Sequence, residues 1–170
     1  MYKTIYILFQ KYPMKLVMPP ATIEGTTLNK ADRIKFLGVY IDENINWNYQ
    51  IHFIATKLSR ICGILYRVRN NLTTEAIISI YYILCYPHLI YCVSVWARTW
   101  PSFSKKLTIA RNKIFRSIFY LKTFDSTKGI LSAYKFLNFE NIHKYFTLFS
   151  IYKCNTLSGN TTFQTDQHHT

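Results

Sequence analysis

The chain has 170 residues, 49% of them hydrophobic, and its 21 Lys and Arg against 8 Asp and Glu leave a formal charge of +13. That length and apolar content, with 14 Tyr, 12 Phe and 3 Trp, describe one folded domain or a domain with an appendage. They exclude a disordered chain over most of the length. The 4 irregularly spaced cysteines make no disulfide scaffold, and 8 carboxylates are too few for most chemistries built on clustered acids. The charge makes a polyanion the default partner, a nucleic acid or an anionic membrane surface. An AT-rich gene would produce the same excess of Lys, Asn, Ile, Phe and Tyr.

In chain order, Lys3, Lys11 and Lys15 interrupt the apolar residues between Met1 and Met18, and no small-residue cleavage site comes after them, unlike a secretory signal. Residues 4–9 (TIYILF) are β-branched and aromatic and read as a strand, and Pro13, Pro19 and Pro20 punctuate the segment beyond it. Glu24-Gly25 is a turn signal between two further short strands. Residues 33–41 alternate, with Ile34, Phe36 and Gly38 on one face and Leu37, Val39 and Ile41 on the other. With both faces largely apolar, this strand is expected to be buried.

From Asn46 the period changes. Ile51, Ile54, Leu58, Ile61, Leu65 and Val68 are spaced 3, 4, 3, 4, 3, the seam of an amphipathic helix, with Asn46 or Asn48 to cap it and Asn70-Asn71 to stop it. Thr74-Glu75 opens a second helix to about Trp96, kinked at Pro87. Its residues 76–97 carry no formal charge and are long enough to span a bilayer. Tyr81, Tyr82, Tyr86, Tyr91, Pro87 and His88 favour a buried core helix instead. A third helix begins near Ser102 with the seam Phe103, Leu107, Ala110, Ile114 and Ile118. Residues 126–137 and 140–157 are two further helix candidates, and the polar tail from Ser158 is expected to be disordered.

The fold class is therefore α+β, short antiparallel strands followed by a three-helix bundle and a helical extension. Opposite the first seam lie Arg60 and Arg67, with Lys57 on the shoulder; opposite the third lie Lys105, Lys113 and Arg116, with Lys106 nearby. Two basic faces almost free of acids suit a phosphate backbone read by charge and shape, RNA–DNA or DNA duplex. Ordinary solvated faces are the alternative.

The stretch Phe36-Leu37-Gly38-Val39, with Ile41-Asp42, then Trp47 and the Ile51, Ile54, Lys57-Leu58 helix, resembles the C-terminal part of reverse transcriptases from jockey-like non-LTR retrotransposons. Lys3-Thr4 with Leu8-Phe9, Gly63 to Arg67, Tyr81-Tyr82, Tyr86 to Leu89, Tyr91-Cys92, Val95-Trp96 and Lys113 to Ile118 continue the likeness in order, over roughly residues 2–155. The resemblance implies a palm edge over 1–43 and a thumb over 44–120, and the helical extension over 121–157 and the tail over 158–170 complete the division. It also implies that Phe36, Leu37, Gly38 and Val39 form a primer-grip hairpin holding the 3′ end of the growing strand. Gly38 would let a backbone approach closely. Lys3 matches a lysine proposed in related polymerases to protonate the leaving pyrophosphate.

The departure from the family matters as much. Polymerisation uses two divalent metals clamped by paired aspartates. This chain has no Asp-Asp pair, and its adjacent acids, Asp42-Glu43, sit where a turn or cap role is expected. Alone it is read as no polymerase and as needing no cofactor; Mg2+ belongs to the intact parent enzyme, whose fingers and front palm would be the missing partners. Cys85, His88 and Cys92 share spacing on a helix face with Cys62 in reach, but an apolar element where free cysteine packs well is the better reading than zinc. Trp47, Trp96 and Trp100 read as packing residues rather than base platforms. The expectation is thus a detached reverse-transcriptase fragment that keeps duplex affinity. The rivals are a membrane-associated protein anchored by 76–97 and a decayed open reading frame. Localisation, nuclear or cytoplasmic, is left open.

Overall fold

The computed structural model describes residues 4–9, 19–97 and 101–159, without the side chains of 101–104 and 158–159. Lys3, Trp100, the Phe103 side chain and the tail beyond Gly159 lie outside the described residues.

Among the described residues six short strands come first: β1 (Ile5–Tyr6), β2 (Thr22–Ile23), β3 (Thr26–Thr27), β4 (Asn29–Lys30), β5 (Arg33–Phe36) and β6 (Val39–Asp42). They form three separate pairs, β2–β3 and β5–β6 antiparallel and β1–β4 parallel. The parallel pair departs from the all-antiparallel expectation; the connection between β1 and β4 is long enough to bring the chain back in the same direction. Glu24 and Gly25 turn the first hairpin with φ of 50° and 73°.

The strand expected over 33–41 is instead the β5–β6 hairpin, folded back at Leu37-Gly38 with φ of 45° and 84°. Paired left-handed residues form the tight turn that matches strand twist. The hairpin is also more open than expected: Leu37 is 74% exposed, and in β5 only Ile34 is half-buried. Val39 and Asp42 are its buried residues.

Asp42 closes the strands. Its Oδ1 accepts from the backbone N–H groups of Asn44 (3.0 Å) and Asn46 (3.2 Å), an Asx-type turn that carries the chain through left-handed Ile45 and Trp47. Helix α1 (Asn48–Val68) comes next, with Trp47 at the cap position and Asn46 Oδ1 accepting from the Asn48 N–H one step earlier. The expected seam is buried from Ile51 to Leu65, and Val68 is half-buried.

The second helix divides into α2 (Thr74–Leu84), α3 (Tyr86–Ile90) and α4 (Val93–Trp96). Thr73 caps α2 through the Ala76 N–H. Pro87 has no N–H to continue the α2 ladder, and Cys92, at φ 51°, breaks the path again. The Trp96 indole donates to the Tyr91 carbonyl freed by that second break (2.7 Å). Among the described residues no helix is long and apolar enough to cross a membrane.

Helix α5 (Pro101–Ile118) lies along α1, and Leu107, Ile114 and Ile118 join the α1 seam in one core with Tyr81, Leu89, Val93 and Trp96. After α6 (Lys128–Ala133), Phe136 and Phe139 enter the same core, so α7 (Phe139–Gly159) starts as a fourth packed helix against α3 and α4. Trp96 stacks on Phe139 with centroids 5.9 Å apart. Trp47 packs against the core from its edge. The far half of α7, 148–157, is exposed on every face.

Candidate nucleic-acid interface

Beside their buried seams, α1 and α5 leave a groove of about 700 Å³. Arg67 and Arg69 reach it from the end of α1, Lys113 and Arg116 from the second half of α5. Ser59, Gly63, Tyr66, Ser117 and Thr123 complete much of its wall, and no carboxylate lines it among the described residues. Neither ion pair seen among those residues, Lys30–Glu43 or Lys144–Glu140, involves a groove cation. Four positive side chains converge on one concavity with no carboxylate in its wall among the described residues, a local field that attracts an anion.

The cations differ in freedom. Arg69 is built into the frame: its guanidinium sits between the rings of Tyr66 (4.2 Å) and Tyr120 (4.4 Å), and Nη1 donates to the Ser117 carbonyl (2.8 Å). The Tyr120 hydroxyl bonds back to Asn70 Oδ1 (2.8 Å), tying the ends of both helices together. Arg116 is half-buried, and its Nε donates to the Asp125 carbonyl (3.1 Å). Arg67 and Lys113 are exposed.

The other basic residues lie elsewhere. Arg60 projects from the outer face of α1 and does not line the groove. Lys57 is half-buried on the far side, 5.5 Å from the Phe53 ring centroid. There, burial and then the Lys57 charge hold the His88 pKa below its ordinary value. Lys105 and Lys106 are exposed near the start of α5, outside the groove wall. The expected basic faces thus resolve into one convergent set, Arg67, Lys113 and Arg116, and four dispersed residues.

The hairpin residues are placed from the other side of the molecule. Phe36 and Leu37 are exposed, and Val39 is buried. The Tyr91 hydroxyl donates to the Leu37 carbonyl (2.5 Å), while the Tyr40 N–H donates to Gln50 Oε1 (3.0 Å). A Cβ on Gly38 would meet the Tyr91 ring at an ordinary 3.5 Å, so its positive φ, rather than space, calls for glycine.

Two arginines escape a reading based on outward faces. Arg69 has a faint signal, Tyr66 three residues ahead on the same helical face. Arg111 had a clearer one, since Leu107, Arg111, Ile114 and Ile118 keep seam spacing. It is 1% exposed, its Nε and Nη2 have no hydrogen-bond partner, and its guanidinium lies 5.1 Å from the Phe115 centroid. Burial lowers its pKa, and the neighbouring Tyr81 hydroxyl, hydrogen-bonded to it, opposes the shift.

Two buried thiols, Cys62 and Cys85, are kept neutral by the same physics. Burial pushes Cys85 up to about 12, with Cys62 adding to the shift. Burial also raises Cys62, with Lys113 and Ser117 opposing it. Neutral thiols are poor nucleophiles and poor metal ligands. Among the described residues no group of three or more His, Cys, Asp or Glu could hold a metal ion. Among the described residues the divalent ions of a polymerase therefore find no fitting donor set, and Asp42 serves its turn.

Over 115 residues the chain is 26% identical to the RNA-directed DNA polymerase from mobile element jockey of Drosophila funebris. The likeness is to a piece of a reverse transcriptase. It covers 63% of this chain and 12% of that protein, so the chain spans a small part of the relative's length. No family model and no solved structure matches.

Proposed function

We propose that this chain is the palm-edge and thumb portion of a non-LTR retrotransposon reverse transcriptase, keeping a sequence-independent grip on a nucleic-acid backbone and lacking the catalytic aspartates. The observation that carries the reading is the convergence of Arg67, Arg69, Lys113 and Arg116 on a groove without a carboxylate. Phosphates attract such a set through charge alone, whatever the base sequence. The Leu37-Gly38 tip serves as the primer-grip-like hairpin, its carbonyl pinned by Tyr91. Exposed Ile5, Phe9, Ile23 and Phe36 along the strands fit a sheet edge covered by the rest of the polymerase.

The test is fluorescence anisotropy of a labelled RNA–DNA hybrid across a salt series. Affinity should fall steeply between about 50 and 200 mM salt, and changing the base sequence should not alter it. The double variant Arg67→Gln, Lys113→Gln should flatten the log–log salt slope by roughly 2, about 1 per lost phosphate contact. Arg60→Gln, off the groove, should change it less. Binding that ignores salt, or no binding at low salt, would sink the reading.

A further inference from the structure

We propose that the groove between α1 and α5 binds an unpaired nucleotide of a single strand, with its base stacked on Tyr66. This rests on the groove being a nucleic-acid interface and goes further by preferring a single strand to a duplex at this point.

Tyr66 is the reason. It lines the groove, yet its side chain is among the exposed large hydrophobics, 58% accessible. One ring face is covered by the Arg69 guanidinium at 4.2 Å. Arg69 is itself immobilised by the Tyr120 ring behind it and by the Ser117 carbonyl, so the tyrosine is backed by a fixed support. The ring still borders the groove in a side chain that is more than half accessible. A rigid aromatic face among cations is the device by which single strands are held, because every base offers a π surface whatever its identity. Inside a duplex the bases cover one another's faces and present only phosphates.

The surroundings complete the match to one nucleotide. Lys113 and Arg67 are exposed and within the same wall, placed to receive the flanking phosphates. Ser59 and Thr123 supply hydroxyls that suit a sugar edge. The volume, about 700 Å³, lies in the range of roughly 300–1,000 Å³ in which small organic groups are enclosed. A mononucleotide free in solution has the same ring and phosphate, so the experiment separates the two sources.

The test compares a labelled single-stranded oligonucleotide with a labelled blunt RNA–DNA hybrid on the full chain and its variants. Tyr66→Ala should weaken the single strand about tenfold and leave the hybrid within twofold. Tyr66→Phe should bind like the parent. Tyr66→Leu, which still covers Arg69, should lose the single strand as Tyr66→Ala does, which shows that the aromatic face and not the local fold is responsible. A parent chain that fails to bind the hybrid at low salt overturns the backbone-grip reading itself, and one that binds the hybrid but not the single strand overturns the stacking site. A parent that binds both, with Tyr66→Ala and Tyr66→Leu unchanged or weakened equally on both, overturns only the stacking site. Complete displacement of the single strand by millimolar adenosine monophosphate overturns the strand as occupant.

Discussion

The helical bundle and the strand pairs are held together on opposite terms. In the bundle Leu58, Leu65, Cys85, Leu89, Ile114 and Phe115 are fully buried, part of one cluster drawn from several helices. In the strands Val39 and Asp42 are buried, and Ile5, Ile23, Phe36 and Leu37 face outward. The bundle supplies its own apolar partners; the strands borrow what they have from it, chiefly through Gln50, Phe53 and Tyr91. Two apolar stretches of one chain therefore have two different kinds of stability, one internal and one on loan.

Truncation should expose that difference most sharply. Leu58→Ala at the centre of the bundle is expected to cost about 2–5 kcal/mol in urea unfolding, whereas Phe36→Ser on the open hairpin should stay within about 0.5 kcal/mol. Similar losses at the two sites would mean that the strands share the bundle's core after all. Arg111 gives a smaller effect of opposite sign. Its Nε and Nη2 are buried without partners, so Arg111→Met should raise stability by about 1–3 kcal/mol. A fall in the urea midpoint would instead assign the guanidinium an indispensable bond.

The loan itself can be withdrawn. Tyr91→Phe removes the hydrogen bond to the Leu37 carbonyl and should cost about 0.5–1.5 kcal/mol, with faster amide exchange across β5 and β6 while α1 and α5 stay protected. Uniform loss of protection would contradict a separable hairpin. The smallest effect is on pH. His88 has a folded pKa below its unfolded 6.5, so the unfolded chain takes up the proton first as pH falls below that value. Stability should decline from there until the folded pKa is passed, and His88→Gln should remove that slope from a pH series of melting temperatures.

Much of the bundle was legible because its seams repeat at helical spacing over many turns. Ile51 to Leu65 and Leu107 to Ile118 fall on buried faces as the periods require. The turn at Leu37-Gly38 was hidden from the alternation, which runs across it like one strand, and only the resemblance implied a hairpin there. The break at Cys92 was hidden, since cysteine carries no signal for a left-handed backbone, while Pro87 announced its own. Of the groove, Arg67, Lys113 and Arg116 could be named from helical faces. Their meeting could not, because it depends on how α1 rolls against α5, and of the Arg69 clamp only the Tyr66 half had a local signal, the Tyr120 half being distant in sequence.

The three attachments of the hairpin carry a mechanical consequence. Leu37 is pinned at the tip by Tyr91, Tyr40 in the middle by Gln50, and Asp42 at the base by its own turn. Two of these fixings reach the bundle and the third stiffens the ribbon's own base, so together they make a braced strut. With the strut intact, a tilt of the bundle would carry the Leu37-Gly38 tip with it as a lever arm.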